Sequence, residues 1–594
     1  MASEPQPLHE LNHARSHTIL STAFATLLAA IVILTLLGHN RLTDWDEGIY
    51  AQVSRQILST QHFNAANWLV LHWNTGLWLE KPPLTFWITA IFYKLLGVSE
   101  FTARLGSALS AIALVTLLHY WLLRTRDTLT AWLSTFILLS TFGFLHIARV
   151  GETDTLLSFG CLLALIGLTE VLNDPLQSTL LASPKQGWYL YWIGFAIALM
   201  SKGAASGGLF LTLLLLLVLD PTLRHRLRSR FFYGFLLFLL LVLPWHLYLL
   251  HRFGHLFVDE YLNLHIIGRV THQYDGHITH WWYYLRVLLF SAPPWVLLYP
   301  IAVYATLRRR PIKATSPGAP SSPPLLAAKV GWQDTSLRPL ALFALIQVIA
   351  FSFVQTRLPH YVAPAYAPLS ALVAIWLASW IQTKSRVILS EQEDAVILSG
   401  ARSAKPKDPN ALHPAPAPSA LSVHTLLRFR IQFATALAAL WILTALLTAH
   451  PRSLLHSPRL PNGVVTPNNR ETTALLKQVF QHPSPLVANT PGPLLDGRPG
   501  TYNPIPTLVF YANRPVQQVE LQPRPKTPSG AAAPANVTID MYTYAPIPLA
   551  QAVTTQPRLL LIDRSLLPQI PAAYTFQPIA YSPTLELGLI SRLP

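Results

Sequence analysis

Residues 18–38 read TILSTAFATLLAAIVILTLLG, and five residues later the chain continues with DWDEGIYA at positions 44–51. The first stretch is uncharged and long enough to cross the roughly 30 Å hydrocarbon core of a bilayer as one helix. The second stretch places three carboxylates within four residues, where such a helix would leave the membrane. Together they predict a membrane-spanning helix followed by an acidic segment at the membrane surface.

The composition of the whole chain follows the same pattern. Of its 594 residues, 52% are hydrophobic and only 12% are charged, whereas soluble domains carry about 25% charged residues. This balance excludes a soluble cytosolic enzyme and a disordered protein. The 43 Lys and Arg outnumber the 27 Asp and Glu, but they lie in short clusters between apolar runs, so we expect no nucleic-acid partner. The single cysteine, Cys161, excludes an intramolecular disulfide.

Charge-poor runs predict an all-α polytopic membrane protein with about eleven transmembrane helices. The predicted spans are residues 18–38, 107–123, 129–147, 155–172, 188–200, 203–219, 231–250, 282–306, 339–354, 361–380 and 431–449. Residues 84–97 are apolar and aromatic but too short to cross and contain Lys94, so we expect an interfacial helix there. The first span lacks the cleavage pattern of a signal peptide and should stay as an anchor.

Clusters of Lys and Arg indicate the orientation of these spans. With residues 84–97 in the interface, four clusters share one side with the N-terminus: 124–126, 224–230, 308–310 and 384–386. The positive-inside rule makes that side cytoplasmic. Four loops rich in charge then converge on the outer face: 44–81, 149–154, 259–280 and 356–360.

Composition shifts along the chain predict five regions. They are a cytoplasmic tail at 1–17, a transmembrane catalytic domain at 18–382, a cytoplasmic Pro/Ala-rich linker at 383–427, a last transmembrane helix at 428–449 and a soluble domain at 450–594. The last region contains β-like runs at 507–511 and 558–562 between Pro, Gly and Asn turns. We therefore expect a small α/β domain on the outer face.

The first outer loop carries acids and a lysine in an unusual setting. Asp46 and Glu47 could simply cap a short helix, or they could accept a proton or bind a cation at the membrane surface. Lys81 follows Glu80 and precedes Pro82 and Pro83. Because two prolines restrict the backbone there, the ammonium is rigidly presented and suits a phosphate group.

The other outer loops add further charged groups. Residues 149–154 read RVGETD, in which Thr153 or Asp154 is more simply explained as a helix cap. Residues 259–280 are rich in histidine, which together with a carboxylate from another loop is a weak signal for a divalent metal. Lys202 and the stretch TRLPHY at 356–361 place more cations at the ends of spans.

Acids and cations at one membrane surface suit a lipid phosphate and a polar group that reacts with it. A sugar carried on a lipid phosphate satisfies both requirements, because cations stabilise the phosphate as it leaves. The sequence contains no Gly-rich nucleotide loop, so we expect no nucleotide cofactor.

These residues occur in an order that resembles the GT-C polytopic glycosyltransferases, specifically the aminoarabinose-transferase-like and protein-O-mannosyltransferase-like group. The motifs that carry the resemblance are DEGIYA at 46–51 with Arg55, EKPPL at 80–84, VSEFTAR at 98–104, Asp154 at the start of a span, and LPHYVAP at 358–364. Each motif is weak alone, but their order on one predicted face is specific. The resemblance covers roughly the first two thirds of the chain.

The resemblance implies a function and a set of site residues. It implies a polyprenyl-phosphate sugar as donor, undecaprenyl in bacteria, and an inverting displacement at the outer face of the inner membrane. The residues it implies are Asp46 and Asp154 as catalytic carboxylates, Lys81 with Arg55, Lys202 and Arg357 at the donor phosphate, Glu47, Tyr50, Tyr361 and His360 in the substrate cavity, and Glu80 and His265 at a divalent metal. The chain departs from the family at Arg357, where lysine is usual, in extra residues between Arg55 and Glu80, and in its His-rich third loop. These departures concern the acceptor more than the reaction, and a lipid, a glycan or a protein stays open as acceptor.

Two other functions fit the same sequence. A transporter or flippase for a polyprenyl-linked sugar would also have many spans, although it predicts ionisable groups at the bilayer midplane and two similar halves. A scaffold with a sensory outer domain is the other alternative. We expect the transferase because it accounts for the largest number of motifs.

Overall fold

A computed structural model describes most of the chain. The described residues are 8–43, 46–58, 65–74, 76–173, 186–227, 229–272, 280–308, 335–383, 469–481, 483–498, 506–514, 516–521, 547–554 and 556–593. Asp44, the linker at 383–427 apart from its first residue, and the span predicted at 431–449 lie outside these ranges.

The first two thirds of the described chain is almost entirely helical. Its helices are α1 Leu8–Leu34, α2 Asp46–Gln56, α3 Ala65–Leu69, α4 Leu84–Leu96, α5 Glu100–Thr125, α6 Thr128–Leu139, α7 Phe142–Ala148, α8 Asp154–Leu172, α9 Gly187–Lys202, α10 Gly207–Leu219, α11 Pro221–His225, α12 Ser229–Phe253, α13 His255–Phe257, a π-helix Val258–Gly268, α14 Arg269–Thr271, α15 Tyr283–Ser291, α16 Tyr299–Leu307, α17 Arg338–Phe353 and α18 Pro359–Thr383. A two-stranded hairpin, β1 His72–Trp73 with β2 Gly76–Leu77, interrupts them.

Several of these helices are long and apolar enough to cross a membrane. Within the described ranges they are Arg15–Leu34, Glu100–Thr125, Asp154–Leu172, Gly187–Leu219, Arg230–Phe253 and Pro359–Thr383, with α6 and α7 as a seventh span bent by 71°. The prediction of a helical polytopic membrane protein is therefore confirmed. The spans predicted at 188–200 and 203–219 fall together in the single candidate Gly187–Leu219. Among the other described spans, the one predicted at 282–306 is divided into shorter helices because Ala292-Pro293-Pro294 ends α15 and proline cannot continue a helix, and the one predicted at 339–354 is the 16-residue helix α17.

Helices α8 and α9 pack against each other with their backbones almost in contact. A Cβ atom added to Gly160 would lie 2.6 Å from the backbone nitrogen of Ala198, and one added to Gly194 would lie 2.5 Å from that of Ala164. Small residues at such spacing let membrane helices approach closely. This packing brings Asp154, which begins α8, beside Lys202, which ends α9.

The C-terminal domain, residues 469–593 as described, has a six-stranded mixed sheet. Its elements are α19 Asn469–Phe480, α20 Pro485–Asn489, β3 Leu494–Asp496, α21 Pro506–Ala512, β4 Val516–Glu520, β5 Ile547–Pro548, α22 Leu549–Ala552, β6 Arg558–Asp563, β7 Tyr574–Tyr581 and β8 Leu585–Arg592. The strand order is β5-β4-β3-β6-β8-β7, in which the first four strands are parallel and the last two pair antiparallel.

One predicted strand of this domain is confirmed and the other is wrong. The run at 558–562 lies in β6, whose Leu559 to Ile562 are buried. The run at 507–511 instead forms helix α21. Val509, Phe510 and Ala512 are buried there, so the helix gains contacts that outweigh the strand preference of its β-branched and aromatic residues.

Candidate active site

Glu47 anchors the beginning of α2. Its carboxylate accepts hydrogen bonds from Arg104 Nε at 2.7 Å, from the Thr43 backbone N–H at 2.6 Å and from the Gly151 backbone N–H at 2.9 Å. Burial would raise the pKa of Glu47, but Arg104 together with the backbone N–H groups of Thr43 and Gly151 outweighs burial, and the pKa is lowered. The side chain has no exposed area, and its place in the substrate cavity, which the resemblance implied, stays a prediction.

Asp46 lies at the first turn of α2 and is partly exposed. Burial raises the pKa of its carboxyl, whereas Lys81 and His360 lower it, and the net effect places the pKa below its ordinary value. Asp46 is therefore ionised at neutral pH. An ionised carboxylate beside a cation can accept a proton or orient a hydroxyl.

Lys81 contacts the carboxylate of Glu80 and is near enough to Asp46 to lower its pKa. Its Nζ lies 2.6 Å from Glu80 Oε1, donates to the Tyr50 hydroxyl and lies 5.9 Å from the centre of the Trp78 ring. Only 12% of the side chain is exposed. The ammonium is thus held in place by several contacts, as the prolines after it predict.

Arg269 is a second cation at Glu80. Its Nη2 lies 3.3 Å from Glu80 Oε1, and its Nη1 donates to the Tyr361 hydroxyl at 3.2 Å. Burial would raise the pKa of Glu80, but Lys81, His265 and Arg269 together hold it well below its ordinary value. The carboxylate therefore carries its charge between two cations.

No specific role for Arg269 follows from the sequence. It lies in the loop that the sequence marks only by its histidines, and it follows a π-helix whose pitch cannot be read from sequence periodicity. The Thr356 backbone N–H donates to the Arg269 carbonyl at 3.1 Å, and that of Gln355 donates to Val270 at 3.2 Å. The signal available in the sequence was the presence of Arg269 itself, since charged residues are rare in this chain.

Asp154 pairs with Lys202 across the α8–α9 contact. Their Oδ2 and Nζ atoms are 2.5 Å apart, and the ammonium lies 5.4 Å from the centre of the Tyr361 ring. Because Tyr361 also accepts a hydrogen bond from Arg269, it connects the Asp154 side of the site to the Glu80 side. These predicted residues therefore lie together.

Glu152 belongs to the same group, although it is not among the site residues predicted from the sequence. Its Oε2 lies 3.9 Å from His360 Nδ1. Burial raises the pKa of Glu152 strongly, and the negative charges of Asp154 and Asp46 raise it further. Its position two residues before Asp154 was the signal that could have identified it.

Two groups of side chains could hold a divalent metal. His265 Nδ1 lies 3.7 Å from Glu80 Oε1, and neither imidazole nitrogen has a hydrogen-bond partner within the described ranges. Burial lowers the pKa of His265 to about 4 although Glu80 opposes the shift, so the imidazole is neutral and its lone pair is available, as metal binding requires. The metal role of Glu80 and His265 stays a prediction, and the same Glu80 oxygen also contacts Lys81 and Arg269.

The second group is formed by Glu152, Asp154 and His360. Each offers one ligand atom, and these atoms lie within 4.8 Å of one another. Oxygen and nitrogen ligands of this kind suit zinc and other divalent ions.

Three predicted cations contact other parts of the molecule. Arg55 Nη1 donates to the carbonyl of Phe510 in the C-terminal domain at 2.9 Å. Arg357 Nε and Nη2 donate to the carbonyl of Ser352 at 3.0 and 2.8 Å. Arg149 Nη1 donates to backbone carbonyls near the end of α1 at 3.0 and 2.9 Å. The predicted part of Arg55 and Arg357 in binding the donor phosphate stays a prediction.

The chain is similar to known proteins in both sequence and fold. Residues 23–258 match the family described as dolichyl-phosphate-mannose-protein mannosyltransferase. The undecaprenyl phosphate-alpha-4-amino-4-deoxy-L-arabinose arabinosyl transferase of Pectobacterium carotovorum is 27% identical over 368 residues, 60% of this chain and 59% of that protein. The protein of the same description in Shewanella sediminis is 26% identical over 366 residues, 61% of this chain and 60% of that one. The matched region thus spans about three fifths of these relatives.

A solved structure matches nearly the whole chain. ArnT from Cupriavidus metallidurans bound to undecaprenyl phosphate has a TM-score of 0.64 at 18% sequence identity, over 96% of this chain and 97% of that one. The resemblance expected from the motifs is confirmed: this chain is a polytopic membrane protein with the ArnT-like GT-C fold and is similar to the protein mannosyltransferases.

Proposed function

We propose that this protein is an integral-membrane glycosyltransferase that moves a sugar from a polyprenyl-phosphate donor to an acceptor. The observation that carries the proposal is the meeting of Lys81 and Arg269 on Glu80, beside the ionised carboxylate of Asp46. The names of the sequence relatives, and the undecaprenyl phosphate bound to the ArnT structure, support the donor class.

The donor phosphate binds near Lys81 and Arg269 in this proposal. During transfer the bond between the anomeric carbon and the phosphate oxygen breaks, and its electron pair leaves with the lipid phosphate. Fixed cations stabilise the charge that develops on that oxygen. Lys202 and Arg357 would add to this positive potential, whereas Arg55 bonds to the Phe510 carbonyl in the C-terminal domain.

Asp46 acts on the acceptor. It takes the proton of an acceptor hydroxyl as the oxygen attacks the anomeric carbon from the side opposite the phosphate, which inverts the configuration. An acceptor phosphate is already ionised, so with such an acceptor Asp46 would orient rather than deprotonate it. Asp154, held by Lys202, completes the catalytic pair.

The cavity around the sugar is lined by aromatic and imidazole groups in this proposal. Tyr50, Tyr361 and His360 would line this cavity, and the acceptor would be a lipid, a glycan or a protein hydroxyl. Glu80 and His265 would hold a divalent metal, with Glu152, Asp154 and His360 as a second candidate group. A divalent ion, when bound, would supply positive charge to the donor phosphate.

The proposal also covers the membrane arrangement. The shorter and broken helices complete about eleven crossings, with the residue range 84–97 in the interface. The active site and the C-terminal domain would lie on the periplasmic side of the bacterial inner membrane.

Transfer from a radiolabelled polyprenyl-phosphate sugar tests the proposal. Purified wild type with a crude envelope extract should release polyprenyl phosphate and move label into the extract, and Lys81→Ala should reduce the rate at least about 100-fold. Lys94→Ala is the matched control, because Lys94 is exposed on α4. Movement of intact lipid across a reconstituted bilayer without release would instead identify a flippase.

A further inference from the structure

The C-terminal domain holds both ends of α2, the helix that carries Asp46. The Leu42 backbone N–H, just before α2, donates to the Tyr511 hydroxyl at 3.1 Å. At the other end, Arg55 Nη1 donates to the Phe510 carbonyl at 2.9 Å, and its guanidinium lies 5.7 Å from the centre of the Phe510 ring. Two neighbouring residues of α21 therefore fix the two ends of one short helix.

Further contacts hold Tyr511 and Phe510 in place. The Tyr511 hydroxyl donates to Glu100 Oε1 at 3.0 Å, and Lys477 of α19 forms an ion pair with the same carboxylate. Phe510 is 4% exposed and packs against Ala51 in the middle of α2. The domain and α2 therefore share a packed interface rather than a single contact.

The domain also holds the hairpin that leads to Lys81. Asn74 Nδ2 donates to the Val516 carbonyl at 3.1 Å, and the Val516 backbone N–H donates to Asn74 Oδ1 at 3.0 Å. The Asn74 amide thus pairs with β4 as a neighbouring strand would. Gln56 Nε2, at the end of α2, donates to the Asn74 carbonyl at 2.6 Å, so α2, the hairpin and β4 meet at one residue.

The hairpin connects Asn74, which the C-terminal domain holds, to Lys81. The Trp78 backbone N–H donates to the Leu71 carbonyl at 2.9 Å, which closes the hairpin two residues before Glu80. Lys81 then contacts the Tyr50 hydroxyl on α2. The segment that carries Asp46 and the segment that carries Lys81 therefore each contact the C-terminal domain separately, and they contact each other at the site.

We propose that the C-terminal domain sets the position of Asp46 relative to Lys81, with Asn74 and Arg55 as its positioning residues. This inference rests on the proposed transferase function. The donor phosphate would be held by Lys81 and the acceptor by Asp46, so their separation fixes how closely the two reactants approach. A misplacement of about 1 Å between reacting groups can reduce turnover about 100-fold.

Asn74→Gly is the variant that isolates this effect. Asn74 has a φ of 56°, a conformation that glycine adopts without steric cost, so the change removes the side-chain bonds without straining the backbone. The matched control is Asn513→Gly, because Asn513 has a φ of 51° and its side chain is exposed. Gln56→Met, which removes the bond to the Asn74 carbonyl, is an independent second variant.

Two measurements on the full-length protein in detergent give separate readouts. Hydrogen exchange of the backbone amides at 46–56 and 76–81 reports whether the two segments are held. Steady-state kinetics with varied polyprenyl-phosphate sugar reports how the loss divides between kcat and donor KM. We expect Asn74→Gly and Gln56→Met to speed exchange at both segments, to lower kcat about 10- to 100-fold and to leave donor KM within about 3-fold.

The outcomes separate this inference from the function on which it rests. Unchanged hydrogen exchange at 46–56 and 76–81 in Asn74→Gly overturns the inference. Faster exchange with an unchanged kcat also overturns it, provided that the wild type transfers sugar. An equal loss in Asn513→Gly also overturns it, because that control leaves the Asn74 contacts in place. Wild type that transfers no sugar overturns the proposed function and the inference together.

Discussion

Asp154 Oδ2 and Lys202 Nζ lie 2.5 Å apart, at the ends of two helices whose glycines pack backbone against backbone. Their side chains are 1% and 8% exposed. The pair therefore depends on the close packing of α8 and α9. Removing either charge would leave the other buried without a partner.

Breaking this pair should affect stability and activity differently. Asp154→Asn or Lys202→Met alone leaves one buried charge without its partner, and we expect a loss of about 3–5 kcal/mol in the free energy of unfolding. The double variant should recover most of that stability but remain inactive in sugar transfer. Thermal melting in detergent, alongside the transfer assay, checks both parts, and a double variant as unstable as the singles would refute this explanation.

Arg269 should be as important to the donor as Lys81. Arg269→Met removes the cation that contacts both Glu80 and Tyr361, so we expect kcat/KM for the donor to fall about 100- to 1,000-fold. Arg286→Met serves as the control, because Arg286 is exposed on α15. Equal kcat/KM in the two variants would remove Arg269 from the donor site.

Arg55→Gln distinguishes two roles for this residue. If Arg55 acts through Phe510, kcat falls and donor KM stays nearly constant, which is the result we expect. If its charge contacts the donor phosphate, as the sequence analysis predicted, donor KM rises instead. Initial rates over a range of donor concentrations decide between the two.

The Glu47–Arg104 ion pair should make the stability of the folded protein fall at acidic pH. The pKa of Glu47 is lowered in the folded protein, so its contribution is complete above the ordinary glutamate pKa of about 4.3 and is lost as the pH falls below that value. Glu47→Gln should lower the melting temperature at pH 7 and weaken its dependence on pH between about 5 and 3. A variant whose melting temperature follows the wild-type curve in that range would contradict the assignment.

The sequence predicted which segments meet but not how they meet. Carboxylates and cations in a charge-poor chain identified Asp46, Lys81, Asp154 and Lys202, because a bilayer tolerates such groups only at surfaces or in paired sites. The role of Arg269 depended on the path of a π-helix, which has no sequence period to read.

The relation between α2 and the C-terminal domain was equally hidden. Phe510 and Tyr511 are more than 450 positions from Arg55 and Leu42, and the strand propensity of their segment pointed away from a helix. Tertiary packing against α2 decided the conformation, which no local pattern contains.

The most direct test of the central claim is the release of free polyprenyl phosphate by purified protein. Wild type and Asp46→Asn are compared with Asp259→Asn, because Asp259 is exposed on the π-helix Val258–Gly268. The account predicts release by wild type and by Asp259→Asn, and a loss of at least about 100-fold in Asp46→Asn. Release by Asp46→Asn at the wild-type rate would contradict the account.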